Sequence, residues 1–281
     1  MAEYAHPSQR VALITGANTG IGRVTAAALA LQGVHVFVAC RSLERTQALL
    51  DEVHAAKPDA KIEWLALDLA DFDSIRACAQ TFLSRDLPLH LLINNAGVAG
   101  ARGLTPAGFE LTFGINHVGP FLLTQLLLER VQSSAPARIV TVASRAHYRS
   151  KGIDWNAVRA ATISATGMNE YCVSKLANVL FSAELGRRLQ GTGVTTYALH
   201  PGVVASDVWR SVPWPLRWLI KLFMISPQAG AQTTLFCAND SDLENETGLY
   251  YDECRSKRPS RLASDATLAA ELWQRSEDWI R

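Results

Sequence analysis

Tyr171 and Lys175 stand four residues apart in the run Tyr171-Cys172-Val173-Ser174-Lys175. On a helix that offset places both side chains on one face. A lysine ammonium close to a phenol favours the phenolate and lowers the phenol's pKa. A phenol tuned in this way exchanges a proton with an alcohol or a carbonyl near neutral pH. Alone, the pair is no more than a common motif of solvated helix faces, and its meaning depends on the rest of the chain.

Upstream, Thr15-Gly16-Ala17-Asn18-Thr19-Gly20-Ile21-Gly22 follows an apolar run and opens an alanine-rich helical stretch. Glycines let a backbone turn tightly and approach a pyrophosphate, whose charge a helix N-terminus then stabilises. The spacing Gly-x-x-x-Gly-x-Gly is one residue looser at its start than the usual dinucleotide fingerprint. An ordinary loop is the alternative, but strand, glycine turn and helix within a first βαβ unit are the context that fingerprint requires. At the end of the next apolar run comes Cys40-Arg41-Ser42, with Glu44 deeper in the following helical stretch. A carboxylate at that place suits a ribose 2′-hydroxyl, whereas an arginine suits a 2′-phosphate. Arg41 therefore points to NADP(H) rather than NAD(H); the plainer reading is an arginine capping the sheet edge.

These residues need a frame to hold them. Apolar runs at Val11–Ile14, Val34–Ala39, Ile62–Leu67, Leu91–Ile93, Ile139–Val142 and Val194–Leu199 read as strands. Helical patterns lie between them, at about 21–32, 43–56, 72–84, 105–132 and 170–190. Gly33 and Gly193 stand where helix C-caps belong. Alternating elements with near-continuous apolar strands predict an α/β Rossmann fold, a doubly wound parallel sheet with helices on both faces. With 281 residues, 48% of them hydrophobic, and no composition break, a single domain is expected. Ligands of such sheets bind beyond the carboxyl ends of the strands. Gly16, Arg41, Asp68, Asn95, Ser144 and Pro201 all follow predicted strands and should converge there.

With the glycine turn, Asn94-Asn95-Ala96-Gly97, Ser144 and Tyr171-x-x-x-Lys175 in this order, the chain resembles the short-chain dehydrogenase/reductase family over roughly residues 9–255. Ala39-Cys40-Arg41, Asn116 to Thr124, Ser174 to Phe181, Gly191 to Ala198 and His200 to Val204 look closest to its retinol-dehydrogenase-like branch. The resemblance implies that Tyr171 is the proton donor and acceptor. Lys175 would bind the nicotinamide ribose and depress that tyrosine's pKa. Ser144 would hold the substrate oxygen, and Asn116 would complete a water-linked relay to Lys175. It implies adenine contacts at Asp68 and Leu69, cofactor contacts at Asn95, Ala96 and Gly97, and a backbone contact from Val204 to the nicotinamide amide. Without the family, Ser144 and Asn116 would each read as caps or satisfied polar groups. The implied function is interconversion of a lipophilic alcohol with its aldehyde or ketone. Alternatives are a catalytically silent nucleotide-binding sensor or scaffold, or a nucleotide-sugar epimerase. The first typically lacks the tyrosine or lysine, and the second carries a tighter glycine spacing and a longer C-terminal region.

Between about 205 and 227 the chain is dense in Trp, Leu, Ile, Phe and Met, with Arg217 and Lys221 among them. That suits an apolar lid over a lipophilic substrate. A peripheral membrane contact through 209–225, or a helix packed on the sheet or in an oligomer interface, fits the same composition. Ser206 stands where many members of the family have Thr. Family members often pair through the helices corresponding to 105–132 and 170–190, so a homodimer or homotetramer is an expected state. A formal net charge of +1 excludes nucleic acid as an expected partner. Five dispersed cysteines form neither a zinc spacing nor a disulfide framework. His117, His147 and His200 have no acidic partner at ligand spacing, so no metal is expected and they read as structural. The first residues lack the apolar core of a signal peptide, and no apolar run reaches bilayer length. A cytoplasmic protein is the expectation.

Overall fold

The computed structural model describes residues 10–202 and 225–281. The expected apolar runs form six parallel strands: β1 (Val11–Thr15), β2 (His35–Cys40), β3 (Ile62–Ala66), β4 (Leu91–Asn94), β5 (Ala137–Val142) and β6 (Val194–His200). Two further strands, β7 (Leu249–Asp252) and the two-residue β8 (Arg255–Ser256), extend the sheet to the order β3-β2-β1-β4-β5-β6-β7-β8. Only β8 runs antiparallel. The chain winds outward from β1 to β3 and returns to pair β4 with β1. That reversal leaves a crevice at the carboxyl ends of β1 and β4.

The near-continuous hydrophobicity of the strands follows from burial on both faces. Ala12, Ile14, Val36, Val38 and Val140 meet α1 (Gly20–Leu31), α2 (Leu43–Ala56) and α6 (Pro227–Asn239) on one side. Leu13, Phe37, Leu92 and Ile139 meet α3 (Phe72–Leu83), α4 (Leu111–Ser133), α5 (Met168–Arg188) and α7 (Ala266–Trp279) on the other. Each such Leu, Ile or Phe contributes about 1.5–3 kcal/mol by leaving water. Gly33, at φ 94°, closes α1 in the left-handed conformation that a helix end favours.

The fourth helix begins later than its hydrophobic pattern suggests. Residues 105–110 form a turn instead: Gly108 has φ 77°, its N–H donates to the Thr105 carbonyl, and Leu104 bridges Glu110. Glu110 then caps the helix, its side chain accepting from the Phe113 N–H at 2.8 Å. Within α4 the segment Gly114–Val118 widens into a π-turn. By length and composition α4 could cross a bilayer, yet 72% of its most apolar window is buried inside the protein. Gly119 explains how closely it packs, since a Cβ there would lie 2.3 Å from the Leu69 carbonyl oxygen.

Helix α6 is held from the far end of the sheet. Arg10 donates to the Ala238 carbonyl and the Asn239 side chain, both at 3.0 Å. Arg138, buried in β5, donates to the carbonyls of Cys237 (3.1 Å) and Asp240 (2.7 Å). Two guanidinium groups thus satisfy the last-turn acceptors of one helix.

Candidate active site

A cleft of about 510 Å³ runs along the carboxyl edge of the sheet. One end is built on the β1–α1 turn. Gly16, at φ 67°, packs where a Cβ would sit 2.8 Å from Ala96, and a Cβ on Gly22 would lie 2.4 Å from the Asn95 side chain. The close approach is held by hydrogen bonds. Asn95 Nδ2 donates to the carbonyls of Thr15 (2.8 Å) and Gly16 (3.2 Å), and Thr15 Oγ1 accepts from the N–H groups of Asn95 and Ala96. Helices α2 and α3 are capped by Ser42 and Asp71, but α1 has no side-chain cap and no acid in its first turn. Its leading N–H groups face the cleft, as an anion site requires. A diphosphate-bearing dinucleotide fits this cradle in shape and charge.

Gly16, Asn18, Thr19, Gly20, Ile21, Gly22, Arg41, Asp68, Leu69, Asn95, Ala96 and Gly97 all line the cleft, together with Ser144, Tyr171 and Lys175. Among the described residues, Ala17 and Asn116 are the two expected residues that do not line it. The side chain of Ala17 is fully buried in the core under α1. Asn116 lies behind the wall: its Oδ1 accepts from Val98 N (2.8 Å), and its Nδ2 donates to the Val98 carbonyl (2.9 Å) and to Ser174 Oγ (3.0 Å). A Cβ on Gly97 would nonetheless lie 3.4 Å from both Asn116 Oδ1 and Lys175 Nζ, so the two atoms border one small space. Val204, Ser206 and the segment from 203 to 224, which carries most of the expected lid, fall outside the described residues.

Helix α5 carries Tyr171 and Lys175 into the cleft. It starts after Gly167, whose φ of 66° lets its backbone approach Gly100. Ser174, fully buried between them, donates to the Tyr171 carbonyl at 2.8 Å and receives Asn116 Nδ2, tying α5 to the π-turn of α4. Lys175 Nζ donates to the Val142 carbonyl at 2.8 Å and stands 5.7 Å from the centre of the Tyr171 ring. Ser144 begins a 3₁₀ turn, Arg145–Arg149, with its Oγ accepting from Ala146 N at 3.1 Å.

The expected lowering of the phenol's pKa is not the net result here. Burial raises Tyr171 above the ordinary phenol value, a hydrogen bond with Ser144 acting against it. Burial also lowers Lys175, to about 8. In a low-dielectric wall the loss of hydration outweighs the neighbouring groups. The phenol is thus protonated at neutral pH, with a hydroxyl beside it and an ammonium behind it. That arrangement can donate a proton to a carbonyl oxygen and stabilise the phenolate left behind.

Several cleft residues escaped the sequence reading. Arg45, one helical turn after Arg41, lines the same end, and a Ser42 cap flanked by Arg41 and Arg45 was the available signal. Arg145, Arg149, Met168 and His200 line the other end. Arg145 is held by Asp252 at 2.6 Å and Glu253 at 3.0 Å, both contributed by the unanticipated β7 hairpin. His200, buried at the end of β6, is lowered to about 4 mainly by burial, and neither ring nitrogen has a hydrogen-bond partner among the described residues. The described residues contain no group of His, Cys, Asp and Glu able to hold a metal ion, and all five cysteines are free.

Residues 10–214 match the family model of the short chain dehydrogenases. Human retinol dehydrogenase 12 is 46% identical over 267 residues, covering 94% of this chain and 84% of that protein. Human retinol dehydrogenase 11 is 44% identical over 275 residues, covering 96% and 86%. Among solved structures, a protein of Mycobacterium paratuberculosis is 32% identical and superposes with a TM-score of 0.77, over 97% of this chain and 93% of that one.

Proposed function

The chain belongs to the short-chain dehydrogenase/reductase family, in its retinol-dehydrogenase-like branch, and on that premise we propose that this oxidoreductase uses NADP(H) to interconvert a lipophilic, retinoid-like alcohol and its aldehyde. The observation that carries the reading is a single cleft lined at one end by the uncapped start of α1 and Arg41, and at the other by Ser144, Tyr171 and Lys175. A nicotinamide bound there supplies the hydride. In the direction of carbonyl reduction, Ser144 orients the substrate oxygen and the Tyr171 O–H bond breaks, its proton passing to that oxygen as the carbon gains the hydride. The phenolate so formed would be stabilised by the Lys175 ammonium and take a proton from solvent water reaching it past Gly97, Asn116 and Lys175. Alcohol oxidation runs the same steps in reverse, with the phenolate accepting the proton.

Arg41 and Arg45 support NADP(H) over NAD(H), because neither guanidinium has a carboxylate partner among the described residues and a 2′-phosphate offers one anion to both. Retinol dehydrogenases 11 and 12, over most of their lengths, support a retinoid-like substrate. The apolar stretch 205–227 would cover it, and its residues 209–225 could rest on a membrane surface. Oxidation of NADPH in the presence of retinaldehyde and medium-chain aldehydes tests the reading. Tyr171→Phe should lower kcat by about 10²–10⁴-fold while NADPH binding, read by fluorescence, stays close to wild type. Undiminished turnover in that variant removes Tyr171 from the chemistry.

A further inference from the structure

We infer that the C-terminal segment from Arg258 to Trp279 braces the reaction centre, holding Ser144 and Asn116 in place through two buried histidines, His147 and His117. The inference rests on the functional reading above, since it assigns positioning residues to that same site.

His147 is fully buried in the 3₁₀ turn that begins at Ser144. Its Nδ1 lies 2.7 Å from the Ser144 carbonyl oxygen, which can only accept, so Nδ1 carries the proton. Its Nε2 accepts from the Ser260 N–H at 3.1 Å. Both nitrogens are thereby used and one tautomer is selected. One residue on, Tyr148 donates its hydroxyl to the Arg258 carbonyl at 2.6 Å. The imidazole packs against two rings, 4.0 Å from Tyr148 and 4.8 Å from Tyr250. The backbone of the catalytic serine is therefore tied through one ring to a segment more than a hundred residues away.

His117 follows Asn116 within the π-turn and is enclosed by Phe113, Phe121 and Phe181. Its Nε2 lies 3.0 Å from Ser276 Oγ on α7. The Ser276 hydroxyl gives its one proton to the Leu272 carbonyl at 2.7 Å, so it accepts from His117, whose Nε2 carries the proton. The two rings adopt opposite tautomers, each fixed by what it bonds. Burial keeps both uncharged: His117 is lowered to about 3, and His147 is lowered against the opposing bond to Ser144. An uncharged ring suits a strut, because protonating His147 at Nε2 would break its bond to Ser260.

A merely structural histidine would affect stability alone, whereas a strut affects turnover. In NADPH-dependent aldehyde reduction, His147→Phe keeps the ring packing and removes both bonds. Its kcat should fall about 30- to 100-fold, as a misplacement of about 1 Å can produce, with the Kd for NADPH unchanged within about twofold. His147→Asn retains a donor towards Ser144 and should recover about tenfold of that loss. Ser276→Ala removes one hydroxyl and should lower kcat about three- to tenfold. Should His147→Phe fail to fold, the other two variants decide. If both retain wild-type kcat whatever happens to their melting temperatures, the brace is refuted. Nitrogen-15 NMR of the wild-type protein at pH 7 tests the geometry without turnover: an Nδ1–H tautomer at His147 and an Nε2–H tautomer at His117 support it, and any other pairing overturns it. A wild-type protein inactive on every carbonyl with either nucleotide would instead defeat the functional reading, leaving the tautomers to judge the brace.

Discussion

At Tyr171 two effects pull in opposite directions. Burial holds the proton on, and the hydrogen bond with Ser144 favours letting it go. Lys175 stands 5.7 Å from the ring, spends one N–H on the Val142 carbonyl, and is itself pushed down to about 8 by burial. On the proposed reading the pair is set for donation rather than abstraction until the phenolate charge develops, when the ammonium has something to stabilise. At the opposite end of the cleft the proposed preference for NADP(H) rests on Arg41. A charge-assisted contact to a 2′-phosphate contributes about 1.5–3 kcal/mol. Arg41→Ala should therefore raise the KM for NADPH by roughly 10- to 100-fold and leave that for NADH nearly unchanged. Parallel titrations with the two nucleotides measure the ratio. An unchanged ratio would leave Arg41 as a residue of the sheet edge only.

Among the elements, α4 helps to position the site that α5 carries. Its π-turn presents Asn116 to Val98 and Ser174, while the next residues press the helix onto the Leu69 backbone. Gly119→Ala would put a methyl group 2.3 Å from a carbonyl oxygen, and backbone cannot swing aside as a side chain can. We expect a stability loss of about 1–3 kcal/mol by urea unfolding, with a fall in kcat as Asn116 shifts; a silent substitution would mean that α4 adapts freely. Much of this organisation was legible beforehand. The six inner strands are continuous apolar runs because both faces are covered, and Gly33 marks a helix end. The sequence pattern places the start of α4 too early, although Pro106 and Gly108 mark a turn in the sequence and the Glu110 cap completes it. Neither β7, a four-residue strand whose pairing with β6 is tertiary, nor α6, whose Gly and Thr residues weaken helix propensity, was legible. Motif spacing together with the family resemblance named many residues that line the cleft, though not Arg45, Arg145, Arg149 or Met168. It could not place Ala17 in the core or Asn116 behind the wall, because both depend on packing between distant segments.

Over the whole molecule, the buried histidines make stability depend on acid. His117 titrates near 3 when folded and near 6.5 when exposed, so between those values the unfolded chain binds more protons than the folded one. Stability therefore falls as pH falls through that window, and His117 alone accounts for roughly 2–3 kcal/mol between pH 7 and pH 4. Urea midpoints across that range should show the slope, and His117→Leu should flatten part of it; an unaltered slope would place the acid sensitivity elsewhere. The guanidinium clamp on the last turn of α6 contrasts with this, because it is built from Arg10 and Arg138 rather than from imidazoles. Mild acid should therefore reach the reaction centre through the rings that tie it to Ser260 and α7, while the clamp on α6 gives acid no imidazole to protonate.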